Sequence, residues 1–251
     1  MTNTNTTKRT KNGGFVLYRG PSVLDPSTNI AVVATLKSKN RKTGDMIQVW
    51  ILLEDDTPTD GRRTGSDSAI CGSCIHRNGT CYVNLGHAPT AIHAALKRGS
   101  YPMATVDDIK KHMTGRAIRF GAYGDPAAAP FWIWKMLGEV GSMHTGYTHQ
   151  ANHPQFDERL TRYLMVSADS PKQAMKYQDK GWRTFRVKNA DDGFLPREIE
   201  CLADRDGLTC EECGACGGTN EFDRFANIAI TVHGSGKTKF KTSNIIRSVN
   251  V

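Results

Sequence analysis

Ala117-Ile-Arg-Phe-Gly-Ala-Tyr123 reads as a strand, residues 130–137 (Pro-Phe-Trp-Ile-Trp-Lys-Met-Leu) as a helix, and His144-Thr-Gly-Tyr-Thr-His149 as the next strand. This rhythm decides the fold class. Short β-rich runs bounded by Gly and Pro alternate with short helices, which is how βα units around a mainly parallel sheet are written. The alternation continues toward the C-terminus. Residues 156–162 read as helical, 163–167 as a strand, and 171–178 as a helix with Pro171 in its first turn and Ser170 as its N-cap. Residues 182–187, 198–200 and 227–233 read as three further strands.

Toward the N-terminus the pattern changes. Residues 30–36 (IAVVATL) and 46–53 (MIQVWILL) are β-rich and read as an antiparallel pair. The turn between them, residues 37–45, carries Lys37, Lys39, Arg41 and Lys42. Residues 54–68 read as a polar loop, and 88–98 and 106–113 as short helices. Residues 1–14 are almost free of apolar side chains, carry Lys8, Arg9 and Lys11, and read as a disordered basic arm. The expectation is a single α/β domain over 15–251. It is built as a partial (β/α) barrel, or a mainly parallel sheet, with an N-terminal antiparallel hairpin and cysteine-rich metal-binding loops.

Composition narrows the function. No apolar run approaches the roughly 18 residues of a membrane helix, so no membrane partner is expected. The polar N-terminus lacks an apolar signal region, and the expected location is the cytoplasm of a host cell. The chain has 33 Lys+Arg against 25 Asp+Glu, a net charge of +8. An anionic partner, nucleic acid first, follows from that surplus. The 37–45 turn would supply Lys37, Lys39, Arg41 and Lys42 to phosphates. A late basic strand would supply Lys237, Lys239 and Lys241, which alternate with Thr238 and Phe240. Gly234-Ser-Gly-Lys-Thr238 resembles the end of a phosphate-binding loop, but that pattern needs a glycine where Thr231 stands.

All seven cysteines fall into two groups, Cys71, Cys74 and Cys81, then Cys201, Cys210, Cys213 and Cys216. An odd, bunched set suits reduced thiols around metal better than a disulfide framework. In each CxxC pair two thiolates turn toward one centre. The closely spaced C-x2-C-x2-C run with Cys201 fits a four-thiolate iron–sulfur cluster, and four cysteines also fit zinc. The first group lacks a fourth cysteine. His76 or His87 would complete it for zinc, whereas a three-cysteine cluster would keep one iron open.

Polar residues also follow the expected strands. Asp125, His149, Asp169, Cys201 and His233 each stand at or just beyond an expected strand's carboxyl end, and Arg186 near one, where open α/β sheets and βα barrels place their chemistry. Asp125, His149, Asp169 and Arg186 are the expected acid–base and anion-holding groups. His144 and His149 stand five apart, unlike the alternating pair of DNA-nicking enzymes.

The stretches ICGSC and CYVN near residue 70, FGAYGDP at 120–126, GYTHQ at 146–150, LMVSADS and GWRTFRV resemble an uncharacterised family borne by phages and plasmids. More distantly, a cysteine group closing in Cys-Tyr and followed by βα units is similar to radical S-adenosylmethionine (SAM) enzymes. That resemblance implies a partial βα barrel, a reactive cluster on Cys71, Cys74 and Cys81, and an auxiliary cluster on the other four cysteines. SAM would be the further cofactor. The spacing here is C-x2-C-x6-C, where the family has C-x3-C-x2-C. The competing expectation is a non-catalytic, zinc-stabilised nucleic-acid-binding protein that serves replication or host takeover.

Overall fold

The structure is a computed structural model that describes residues 13–219, 226–233 and 239–240. It is a mixed α/β fold around one nine-stranded sheet of order β1-β2-β3-β4-β5-β6-β7-β9-β8. The strands are β1 (Gly14–Pro21), β2 (Asn29–Thr35), β3 (Ile47–Leu53), β4 (Ala117–Tyr123), β5 (Met143–Thr148), β6 (Met165–Ala168), β7 (Thr184–Lys188), β8 (Glu198–Glu200) and β9 (Asn227–Thr231). The pairs β1–β2 and β2–β3 are antiparallel, and all others are parallel.

β2 and β3 read as nearly continuous apolar runs, interrupted in β3 by Gln48, because both their faces are covered; every residue of β3 is buried. β1 went unread in the sequence. Its outer half alternates between covered and open positions, as expected at a sheet edge.

The helices are α1 (Pro58–Thr64), α2 (Ser68–Cys71), α3 (Ala88–Lys97), α4 (Val106–Met113), α5 (Phe131–Val140), α6 (Pro171–Asp179), α7 (Leu202–Arg205) and α8 (Cys210–Cys213). Residues 54–68, expected as loop, hold α1 and the start of α2. Helical propensity there is poor, with Pro58 and Gly61 inside α1. The helix starts because Thr57 Oγ1 accepts from the Asp60 amide and Pro58 occupies the first turn. α4 begins with a capping box between Thr105 and Asp108, and α6 with the expected Ser170 cap. α5 buries Ile133, Trp134 and Leu137 under the sheet, with Trp134 Nε1 donating to Pro126 O at 2.8 Å. Its Trp132 faces outward, half exposed, so the aromatic stretch is only partly core.

Two strands start later than their sequence suggests. Tyr163 and Trp182 lie outside β6 and β7 because their rings pack sideways, against Phe131 and against Phe156 and Tyr177. The expected basic strand at 237–241 is corrected in part: Lys239 and Phe240 are helical, and Phe240 is buried against the ring of His76. Lys237, Lys241, the 234–238 segment and residues 1–12 of the basic arm lie outside the described residues. Gly14, assigned to the arm, opens β1. Among the described residues no helix is long and apolar enough to cross a membrane.

Candidate metal centres

The crossover from β3 to β4 carries Cys71, Cys74 and Cys81. Cys71 ends α2, and Gly72 behind it takes a left-handed φ of 51°. A Cβ at Gly72 would strike the Gln150 side-chain amide, which comes that close because it latches the loop. Gln150 Nε2 donates to Cys71 O at 2.8 Å, and its Oε1 accepts from the Ser73 amide at 3.1 Å. From the other side, Arg77 donates to Gly72 O at 2.9 Å, to Gly65 O at 3.0 Å and to the Asp67 carboxylate. These bonds fix the Cys71–Cys74 turn. Burial, then the charges of Cys74, Asp67 and Cys81, hold the Cys71 thiol well above its usual range. Burial likewise raises Cys81, which also senses Cys74.

Asp125 and His149, expected at strand ends, meet beside this loop. Asp125 is buried, and its backbone N–H donates to Ile70 O at 2.6 Å. Its carboxylate accepts from the Ala127 and His149 amides at 3.0 and 2.7 Å. Burial still pushes its pKa up. Asp125 therefore joins the ends of β4 and β5 to the cysteine loop as a positioning group. The His149 ring contacts Cys74 and Asp169. Burial pulls its pKa down, but those two partners outweigh it and hold it well above the usual histidine value. His149 Nε2 stands 3.4 Å and His76 Nε2 3.7 Å from Asp169 Oδ1.

Arg186 goes elsewhere. It is buried in an ion pair with Glu198, with Nε to Oε1 at 2.9 Å and Nη2 to Oε2 at 2.6 Å, and it also donates to Gly193 O. Its charge is spent on joining β7 to β8. His87 precedes α3 and is exposed, as are Lys37, Lys39, Arg41, Lys42, Lys239 and His233.

The second group gathers behind β8. Cys201 follows that strand, and its amide donates to Ala229 O of β9 at 2.8 Å. Cys210 and Cys213 lie on α8, capped by Thr209 and closed by Gly214 in the left-handed region. The Cys210 amide donates to Lys42 O at 2.9 Å, so the basic 37–45 turn docks on this group. Arg183 donates to Ala215 O at 2.8 Å and Gly218 O at 2.9 Å, bracketing Cys216. Burial pushes the Cys216 thiol up to about 12, against a hydrogen bond from Tyr147 and with the charges of Cys201, Cys210 and Cys213 adding to the rise. The four thiols thus lie near enough to sense one another's charge.

Arg119, in the middle of β4, links the two groups. It is only 7% exposed, and among the described residues its partners are Tyr82, Tyr147 and Cys210, with no carboxylate among them. Nη2 donates to Tyr82 Oη at 2.7 Å, next to Cys81. Its guanidinium carbon sits 5.4 Å from the centre of the Tyr147 ring, whose hydroxyl meets Cys216. Burial opposes its charge, but Tyr82, Tyr147 and Cys210 prevail and its pKa is raised. A mid-strand arginine carries no sequence signal of this role.

Of the described Cys, His, Asp and Glu side chains, three donor atoms come within 4.8 Å of one another at His76, His149 and Asp169, and no three sulfurs do. No protein family, curated protein or solved structure matches the chain.

Proposed function

We propose that the chain is an iron–sulfur protein of the radical-SAM-like kind that acts on nucleic acid. Cys201, Cys210, Cys213 and Cys216 would hold a closed cluster. Cys71, Cys74 and Cys81 would hold one with an open iron. Arg119 carries this reading. A buried guanidinium without a carboxylate needs an anion. Neutral thiols do not supply one, whereas four metal-bound thiolates do. The closely spaced C-x2-C-x2-C run, with Cys201 as its fourth thiolate, supports iron–sulfur over zinc, which more often takes two well-separated pairs.

A three-cysteine cluster supplies an electron to a ligand such as SAM at its open iron. The chain's own residues hold the loop and shape the mouth. Gln150 and Arg77 fix the Cys71–Cys74 turn, and Asp125 ties that turn to the carboxyl ends of β4 and β5, where a partial barrel would open. The exposed Lys37, Lys39, Arg41 and Lys42 would meet phosphates beside the second group.

Protein purified without oxygen tests the reading. Brown protein with several irons and matching acid-labile sulfide is expected; colourless protein with one or two zincs rejects it. For the partner, anisotropy titrations with a fluorescent single-stranded oligonucleotide are expected to give a steep salt dependence. Replacing Lys37, Lys39, Arg41 and Lys42 by alanine should lower the slope of log K against log salt by up to about 3. An unchanged slope removes the loop from the interface.

A further inference from the structure

We propose that His76, His149 and Asp169, beside the first thiol group, bind a divalent first-row cation through nitrogen and oxygen donors of their own. This stands independently of the cluster reading, because no cysteine is among its ligands. Three separate segments supply the donors. His76 lies in the 3-10 turn Ile75–Asn78, His149 follows β5, and Asp169 follows β6. One atom of each lies within 4.8 Å of the other two. The imidazole rings stand edge to face, 5.3 Å apart, and both Nε2 atoms approach the same Asp169 oxygen, at 3.7 and 3.4 Å. Those separations exceed an ordinary N–H···O bond of about 2.9 Å. They leave room for an ion at about 2.1 Å from each donor after a small contraction.

The surroundings suit ligands. His76 Nδ1 pairs with Thr80 Oγ1 at 2.8 Å, which fixes the ring with Nε2 turned toward Asp169. Phe240 stacks on the outer face of His76 at 6.0 Å and shelters it. The three side chains keep 15–21% of their surface open, so an ion can reach them from solvent. Two histidines and one carboxylate on one face of an ion leave its remaining positions for water or an oxygen-rich substrate, the arrangement of non-haem iron sites. Cys74 touches His149, so a thiolate-avoiding probe is needed.

Mn2+ is that probe, because it prefers nitrogen and oxygen donors to thiolates. Anaerobically purified full-length protein would be freed of loosely held divalent ions and titrated, with free Mn2+ read by electron paramagnetic resonance. One site per chain is expected. His76→Gln and Asp169→Asn should each weaken it more than about tenfold, while iron, sulfide and the thermal midpoint stay at wild-type values. Cys74→Ser should keep the Mn2+ site, since its thiol touches His149 but is no ligand. No stoichiometric site, unchanged binding in both histidine and aspartate variants, or loss only in the cysteine variant would each overturn the assignment and leave a His–Asp–His proton network. Protein that binds Mn2+ but contains no iron would sink the cluster reading alone.

Discussion

Arg119→Met is expected to destabilise the metal-loaded protein by roughly 3–5 kcal/mol, because it leaves a buried thiolate centre without its cation. For a chain of this length that is a fall of about 10 °C in thermal midpoint. The sign should reverse in chelator-stripped protein. There the thiols are neutral, since burial and mutual repulsion keep Cys216, Cys201 and Cys210 above their usual range. The guanidinium is then buried without an anion, and methionine should be neutral or stabilising by about 1–4 kcal/mol. Cys216→Ser should mirror this, costly in the loaded protein and mild in the stripped one. Paired melts of both variants in both states decide it. Destabilisation of equal size with and without metal would make Arg119 an ordinary packing residue.

Gly218→Ala is expected to cost on the order of 3 kcal/mol or more, by combining backbone strain with a backbone clash. Gly218 has a φ of 85°, and an added Cβ would lie 2.5 Å from the Leu164 amide nitrogen and 2.7 Å from Arg162 O. Neither can rotate away. The loop that ends the four-cysteine run would have to lift from the start of β6, taking with it the Arg183 bond to Gly218 O. Gly181→Ala is the control. Its φ of 78° is equally left-handed, but nothing lies within 4 Å. It should cost only about 1 kcal/mol. Denaturant unfolding of the two variants separates strain from contact, and equal losses would refute the close approach.

The sequence was most legible where local chemistry and fold agree. Val106–Met113, Ala117–Tyr123 and Glu198–Glu200 fall where Gly, Pro, caps and β-branched runs place them. α1 was not legible, because a single hydroxyl cap and one proline outweigh a poor helical composition. The grouping of the cysteines and the strand-end positions of His149 and Asp169 could be read directly. Arg186 shows the limit of that rule. It lies in the middle of β7 and not at its end, and only the fold supplies its partner Glu198. Arg119 and Gln150 were invisible because their partners lie far away in the chain: Arg119 meets Tyr82, and Gln150 meets Cys71 and Ser73.

The strand order has a consequence for how the chain is made. From β1 to β7 each new strand adds beside the one before, so the sheet can grow as the polypeptide emerges. β8 breaks that order: it pairs with β9, which follows it in sequence and inserts between it and β7. Until residues 227–231 have been synthesised, β8 has no neighbour to join, and Cys201 has no Ala229 carbonyl to hold it. The first cysteine group can take shape while the ribosome is still working on the second half of the chain. The second group can close only after β9 has emerged and taken its place between β7 and β8.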